Sequence, residues 1–484
     1  MHDSKLIQLL KTLEARQLSR LEIYLDSPYF NKNTDILSFF QYLRRFAPRW
    51  TDRGLAKAQV LKKVKWSKQT GEKELSYHMS DLLKQTEQFL THEALEQDDW
   101  QQYLYLAEEH HQAGLSLHLR SVLDRAAKTL QKYPFRNADY YRRHFDWKWL
   151  LHRQTDPDQR THNPALQEAA DALDLFYLIE KLRYCCLMIN AQHSLNIRYE
   201  LRQVEAVLKM SAEPPWGELP AVQVYRTFLQ LLREHEDTEA YFSAKALILE
   251  HEALFDLPEK ETFFIGLFNF CSRRINVHND EFFYREYLDS GRRLIESGVA
   301  LADGNLSPWL YKNLVTVGLK TQDFPWVWKF LHRFRDQLPE AYRDPIYQYN
   351  LAHYHYYRRE YDQAQRLLAT LDFREVFMAM STRNLLVKIY YETGQTELLH
   401  SLLEAYRIYT LRNSAITERN RNQVHRFIDL TRKMAKVEKW EAEKLEELLK
   451  QLPPASEVLH RDWLTEQLQL KMARFGMRKP PQTP

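Results

Sequence analysis

Glycine is what this chain most lacks. It has eleven in 484 residues, about 2% against an ordinary usage of about 7%. Tight turns between strands need residues at positive φ, a role filled mostly by Gly and Asn. A fold built on sheets would therefore have few ways to turn its strands. Leu, Glu, Gln, Lys, Arg and Ala dominate instead, and all of them lose little side-chain freedom in a helix. The spacing agrees. In 351–371 the apolar residues Leu351, Tyr354, Tyr361, Ala364, Leu367, Leu368 and Leu371 fall mostly three, four or seven apart. A break at 358–360 marks an expected turn between two helices. No stretch sustains a period of two, so the expected fold class is all-α.

Punctuation fits helices too. Asn163-Pro164, Ser307-Pro308 and Asp344-Pro345 each set a capping side chain before a proline. The side chain accepts from an orphan N–H of the first turn, and proline has no N–H to leave unpaired. Ser19-Arg20-Leu21-Glu22 has the form of a capping box. Helices are expected at about 74–96, 164–192, 198–211, 415–451 and 456–475. Turns are expected at 27–33 and in the hydrophilic stretch 152–163, and the tail 478–484 is expected to be disordered.

Hydrophobic residues at 44% and charged residues at 27% are ordinary for a globular chain. The longest apolar runs are a few residues, as at Cys185–Ile189, where a bilayer span needs roughly 20. The first 20 residues read as an amphipathic helix and not as a secretory signal, which predicts a cytoplasmic protein. Three cysteines, Cys185, Cys186 and Cys271, do not make a disulfide framework. They are expected in the core, with a vicinal redox pair at 185–186 as the alternative. A net charge of +3 gives no global field toward nucleic acid.

Four segments have the pattern of a two-helix repeat. In 100–134 it is carried by Tyr103, Leu106-Ala107, Gly114, Leu119, Leu123, Ala126 and Pro134. In 345–372 it is carried by Leu351-Ala352, Tyr361, Ala364, Leu368 and Leu371, and in 380–407 by Leu386-Val387, Tyr390, Gly394, Leu399, Leu403 and Tyr406. The fourth segment, 308–339, has Leu314-Val315, Val327, Leu331 and Pro339. The hairpin-crossing positions Val327, Ala364 and Leu399 are 37 and 35 residues apart. This resembles the tetratricopeptide-repeat (TPR) superfamily, whose unit is a helix hairpin of about 34 residues. The resemblance implies an α-solenoid of stacked antiparallel hairpins, in which each hairpin buries its neighbour's apolar face. A large, non-repetitive helical bundle is the alternative.

The expected organisation is an irregular N-terminal helical unit (1–97), helical hairpins with the first repeat (98–212), a C-terminal solenoid (221–451), and a terminal helix and tail (452–484). The breaker Glu213–Pro220 (EPPWGELP) separates the second and third.

No motif for chemistry survives. Neither a Gly-rich phosphate loop nor a Gly-x-Ser-x-Gly elbow occurs. His92-Glu93 with Glu96, and His235-Glu236 with Glu239, lack the second His of a zinc-protease helix. Adjacent His110 and His111, after Glu108-Glu109, point about 100° apart on a helix. These are expected to be solvated faces. No catalytic, cofactor or metal residue is assigned, and the chain is read as no enzyme.

The resemblance also implies a concave groove lined by first-helix positions. These are Trp309, Lys312, Thr316, Leu319 and Lys320; then Ile346, Tyr349, His353, Tyr356 and Tyr357; then Ser381, Asn384, Lys388, Tyr391 and Glu392. Tyrosine brings contact area with a polar tip, and the lysines suit a carboxylate. The expected function is therefore a non-enzymatic scaffold binding a peptide or protein partner through Trp309, Lys312, Tyr349, His353, Tyr356, Asn384, Lys388 and Tyr391. Packing of several of these tyrosines between hairpins is the alternative for the surface itself. A nucleic-acid-associated protein is the alternative function. Residues 44–73 hold ten Lys and Arg against two acids. In 407–436, Arg412, Arg419, Arg426 and Lys433 recur every seven residues, a stripe for phosphates if one helix spans them.

Overall fold

A computed structural model describes residues 1–50, 54–153, 164–194, 197–234, 236–278, 280–301, 304–371, 373, 375–441 and 443–476. Among the described residues there are 23 α-helices and no strand. The expected tail 478–484, His235 and most of the loop 152–163 lie outside the described residues. None of the helices is long and apolar enough to cross a membrane.

The chain divides into two compact units. The first comprises Met1–Tyr133 and Arg142–Ala172. It contains α1 (Lys5–Lys11), α2 (Ala15–Asp26), α3 (Thr34–Arg44), α4 (Lys57–Lys63), α5 (Glu72–Gln97), α6 (Asp99–Gln112), α7 (Ser116–Gln131) and most of α8 (Ala138–Arg153). Leu21, Phe39, Phe40, Leu75 and Leu82 are wholly buried at the meeting of α2, α3 and α5. The expected capping box at Ser19–Glu22 is not one. Ser19 lies inside α2, whose box is Glu14 with Gln17 one turn earlier. Glu22 instead pairs with Arg44 of α3.

The second unit comprises Pro134–Tyr141 and Leu173–Pro484. It receives α9 (Pro164–Ser194) and holds α10 (Val204–Met210), α11 (Pro220–Arg233), α12 (Thr238–Glu250), α13 (Leu257–His278), α14 (Phe282–Glu296), α15 (Pro308–Lys320) and α16 (Phe324–Arg333). There follow α17 (Arg343–Tyr357), α18 (Tyr361–Ala369), α19 (Val376–Glu392), α20 (Thr396–Arg412), α21 (Glu418–Lys436), α22 (Glu443–Lys450) and α23 (Arg461–Arg474). The segment 213–220 lies within this unit, as a short 3-10 turn leading into α11. Its three cysteines are free and buried in the core. The long helix expected over 415–451 is two helices. Val437 takes extended backbone, turns into the core and ends α21.

Four loops share one geometry. Gly114, Gln322, Arg359 and Gly394 sit at φ of 68°, 60°, 60° and 70°. In each, the next N–H donates five residues back: Leu115 to His110, Asp323 to Gly318, Glu360 to His355 and Gln395 to Tyr390, at 2.9–3.0 Å. This is the Schellman ending, which satisfies the helix's last carbonyls and reverses the chain. An L side chain in this region costs about 1–2 kcal/mol. Gly394→Ala is therefore expected to lower unfolding free energy by about 1 kcal/mol in a urea titration. Arg359→Gly is expected to be neutral or stabilising, by less than about 1 kcal/mol.

Between these loops, each helix packs on its successors. α15 contacts α16 and α17, α17 contacts α18 and α19, and α19 contacts α20, which contacts α21. Val327, Ala364 and Leu399, the expected crossing positions, are buried. Ala364 has no exposed surface, so Ala364→Trp is expected to overpack the α17–α18 crossing. The expected loss is about 1–3 kcal/mol or more, read as a lowered melting temperature.

Candidate functional site

Several helices of the second unit converge on one cavity of about 570 Å³. Its wall takes Asn276 from α13, Asn313, Thr316 and Lys320 from α15, His353 and Tyr357 from α17, Lys388 from α19, and Arg419 and Gln423 from α21. Tyr284 and Tyr287 of α14 add an aromatic side, and residues 455–462 with the start of α23 close it. The helical period explains the convergence. Lys388 stands one turn before Glu392, and His353 one turn before Tyr357, so each pair shares a helix face.

The charge is lopsided. Four cationic side chains line the cavity, Lys320, Lys388, Arg419 and Arg461, against the single carboxylate of Asp462. Asp462 is ion-paired to Lys320. Burial works against both charges, yet each outweighs it for the other. Lys320 is held above the ordinary lysine range by Tyr357 and Asp462, and Asp462 well below the carboxylate range by Lys320 and Lys388. Lys388 has no ion pair or hydrogen bond with any described residue, and its ammonium lies 5.9 Å from the centroid of the Trp463 ring. Burial and neighbouring Lys320 outweigh the Asp462 and Glu392 carboxylates and push it down to about 8. Burial, then Lys388, push the His353 imidazole down to about 3, and the same causes hold His460 well below its usual range. Both rings are neutral near pH 7. His353 Nδ1 and His460 Nε2 are buried without a hydrogen-bond partner.

Beside the cavity, the carboxylate of Glu392 gathers three donors. The Tyr356 hydroxyl and the Trp463 indole N–H (2.7 Å) reach Oε1, and the Tyr361 hydroxyl reaches Oε2 at 2.7 Å. The Trp463 ring stands edge-on to Tyr391, with centroids 5.4 Å apart.

The groove residues expected from the sequence divide among several environments. His353, Lys388, Thr316, Lys320 and Tyr357 meet at the cavity. Tyr349, Ile346 and Leu319 are core residues, at most 4% exposed, because these positions face the neighbouring helix. Lys312 donates to Ser381 Oγ at 3.0 Å and lies over the Trp309 and Tyr349 rings. Burial pushes its ammonium down to about 8 against the pull of Glu375. Trp309 borders a separate cavity of about 480 Å³ with Phe268 and Leu310. Asn384 accepts from the Tyr406 hydroxyl at 3.0 Å. Tyr356 and Tyr391 are covered by Glu392 and Trp463. The sequence reading missed His460, Asp462 and Trp463, since nothing local says that 455–474 folds back on α15, α17 and α19. The one available signal was three groove lysines without a matching set of acids.

The basic stripe does not lie on one helix. Arg412 ends α20, Asn413 leaves helical backbone, and Thr417 caps a new helix carrying Arg419, Arg426 and Lys433. Arg426 is paired with Glu457, and Arg412 and Lys433 are exposed. The histidine–carboxylate clusters are otherwise engaged: Glu93 and Glu96 pair with Arg20 at 2.8 and 2.7 Å, and Glu108 pairs with Arg153 at 2.6 Å. Among the described residues, no three His, Cys, Asp or Glu side chains converge as metal ligands.

Compared with known protein families, characterised proteins and solved structures, the chain matches none, so the geometry of this cavity is what its function must be argued from.

Proposed function

We propose that this chain is a non-enzymatic, cytoplasmic interaction scaffold, a TPR-like solenoid of stacked hairpins whose first-helix face holds a peptide or protein partner. The observation that carries the reading is the alternation of the cavity wall. Five of its helices, α13, α15, α17, α19 and α21, are every second one along the chain, and α14 and the start of α23 add to them. Stacked hairpins with one helix of each pair on the inner side would bring those five together. The like loop endings after α15, α17 and α19 and the packing of α15 on α17 and α17 on α19 support the same arrangement. The face also has the chemistry for a helical segment, because the chain's own α23 is seated there through Trp463 and Asp462. On this reading the C-terminal segment occupies part of the partner surface.

The test is capture from the native host with full-length chains. A partner bound by the wild type is expected to be lost with Tyr391→Ala plus Lys388→Glu, helicity being unchanged by circular dichroism. It is expected to be kept with Arg412→Glu plus Lys433→Glu on the outer surface. Partners that ignore the first pair and follow the second would reject the inner face and favour the nucleic-acid alternative.

A further inference from the structure

We propose that the cavity bounded by α15, α17, α19 and the start of α23 is a binding site for a small phosphorylated molecule, its phosphate held between Lys388, Lys320 and the first turn of α23. Lys388 lines the cavity with no hydrogen bond or ion pair to any described residue, its ammonium 5.9 Å from the centroid of the Trp463 ring, and a charge drawn out of water without a direct partner is unfavourable. A bound anion would supply what the protein leaves out. Lysine suits a tetrahedral oxyanion as a compact charge with three rotatable donors.

The start of α23 adds to this. His460 precedes it in left-handed backbone (φ 53°, ψ 41°) and gives no side-chain cap. The N–H groups of this turn therefore have no capping acceptor, and helix N-terminal N–H groups favour anions. His460, Arg461 and Asp462 all line the cavity. Asp462 is the opposing element. Its carboxylate already holds Lys320, so an incoming phosphate competes with it. The volume of about 570 Å³ exceeds what inorganic phosphate fills. The rest of the wall, Tyr284, Tyr287, Tyr357, Asn313, Thr316 and Gln423, suits a body with hydroxyl or amide groups and a flat ring or chain.

The experiment is titration of the purified full-length chain with inorganic phosphate, followed by calorimetry and melting temperature, against sodium chloride of matched ionic strength. Phosphate is expected to bind and raise the melting temperature beyond chloride. Lys388→Met is expected to weaken it by about tenfold or more, the loss of one charge-assisted contact. Asp462→Asn is expected to tighten it, because the competitor is gone. Opposite signs from two neighbouring substitutions cannot come from simple unfolding. Lys62→Met, on the exposed face of α4, is expected to change nothing. Malonate run in parallel separates phosphate from carboxylate recognition. No response beyond chloride, equal responses in wild type and Lys388→Met, or tighter malonate than phosphate would each overturn the proposal. No partner is present in this experiment, so its failure leaves the scaffold reading standing, and loss of the scaffold reading leaves this site standing.

Discussion

Trp463→Ala is expected to destabilise the second unit by about 3–5 kcal/mol, the range for truncating a fully packed Trp. Trp463 is 4% exposed. Its ring meets Tyr391 and Phe427, with centroids 5.4 and 5.8 Å away, and Leu464, Leu468 and Met472 of the same helix share its cluster. Its N–H is one of three donors on Glu392, so removal also weakens the satisfaction of a part-buried carboxylate. Denaturant unfolding measures the loss. Hydrogen exchange locates it, since amides of 461–474 should exchange faster while those of α6 and α7 in the first unit stay unchanged. Trp463→Phe keeps most of the packing and loses the N–H, and is expected to cost about 1 kcal/mol plus a modest volume term. An unaltered midpoint for Trp463→Ala would mean that this side chain does not anchor the C-terminal segment.

Lys388→Met should move stability the other way, raising it by about 1–3 kcal/mol at pH 7. Methionine fills similar space without a charge to desolvate. The sign follows from linkage. A lysine pushed down to about 8 in the fold returns to about 10.4 when unfolded. Between those values the unfolded chain binds more protons, so wild-type stability rises with pH across this window. The Met variant lacks this rise, so its advantage is full below about pH 8 and fades toward pH 10.5. The groups acting on Lys388 are Asp462, Lys320, Glu392 and Glu466; Lys320 is held above the ordinary lysine range and Asp462 below the carboxylate range. Lys312, also pushed down to about 8, contributes equally to both chains and cancels. Unfolding free energies at pH 7, 8.5 and 10 decide it. A constant difference would place the effect in packing and not in charge. Stability given up at one lysine that faces a cavity is what a binding site often requires.

Much of the helical architecture was legible because its causes are local. Scarce Gly and a period near 3.6 exclude sheets and fix where most helices run, as at α5, α9 and α15–α20. Two of the four Schellman endings announce themselves as Gly114 and Gly394. The other two, at Gln322 and Arg359, carry ordinary side chains in the same strained backbone, and only the interruption of the apolar pattern marks them. At Ser19 a good capping sequence exists, but α2 begins earlier, at Ala15, and buries Leu18 ahead of it. Packing outweighs a cap of about 1 kcal/mol.

By itself the sequence determined that the chain is helical and where many of its turns fall. Those are matters of backbone preference and of a repeat of three to four residues, both readable within about forty positions. Only tertiary structure decided that Tyr349 is core while Lys388 faces a cavity, and that His460, Asp462 and Trp463 complete it. Asp462 meets Lys320 across 142 residues and Trp463 meets Glu392 across 71. At such separations the contact is set by how whole helices stack, and no local pattern carries that information.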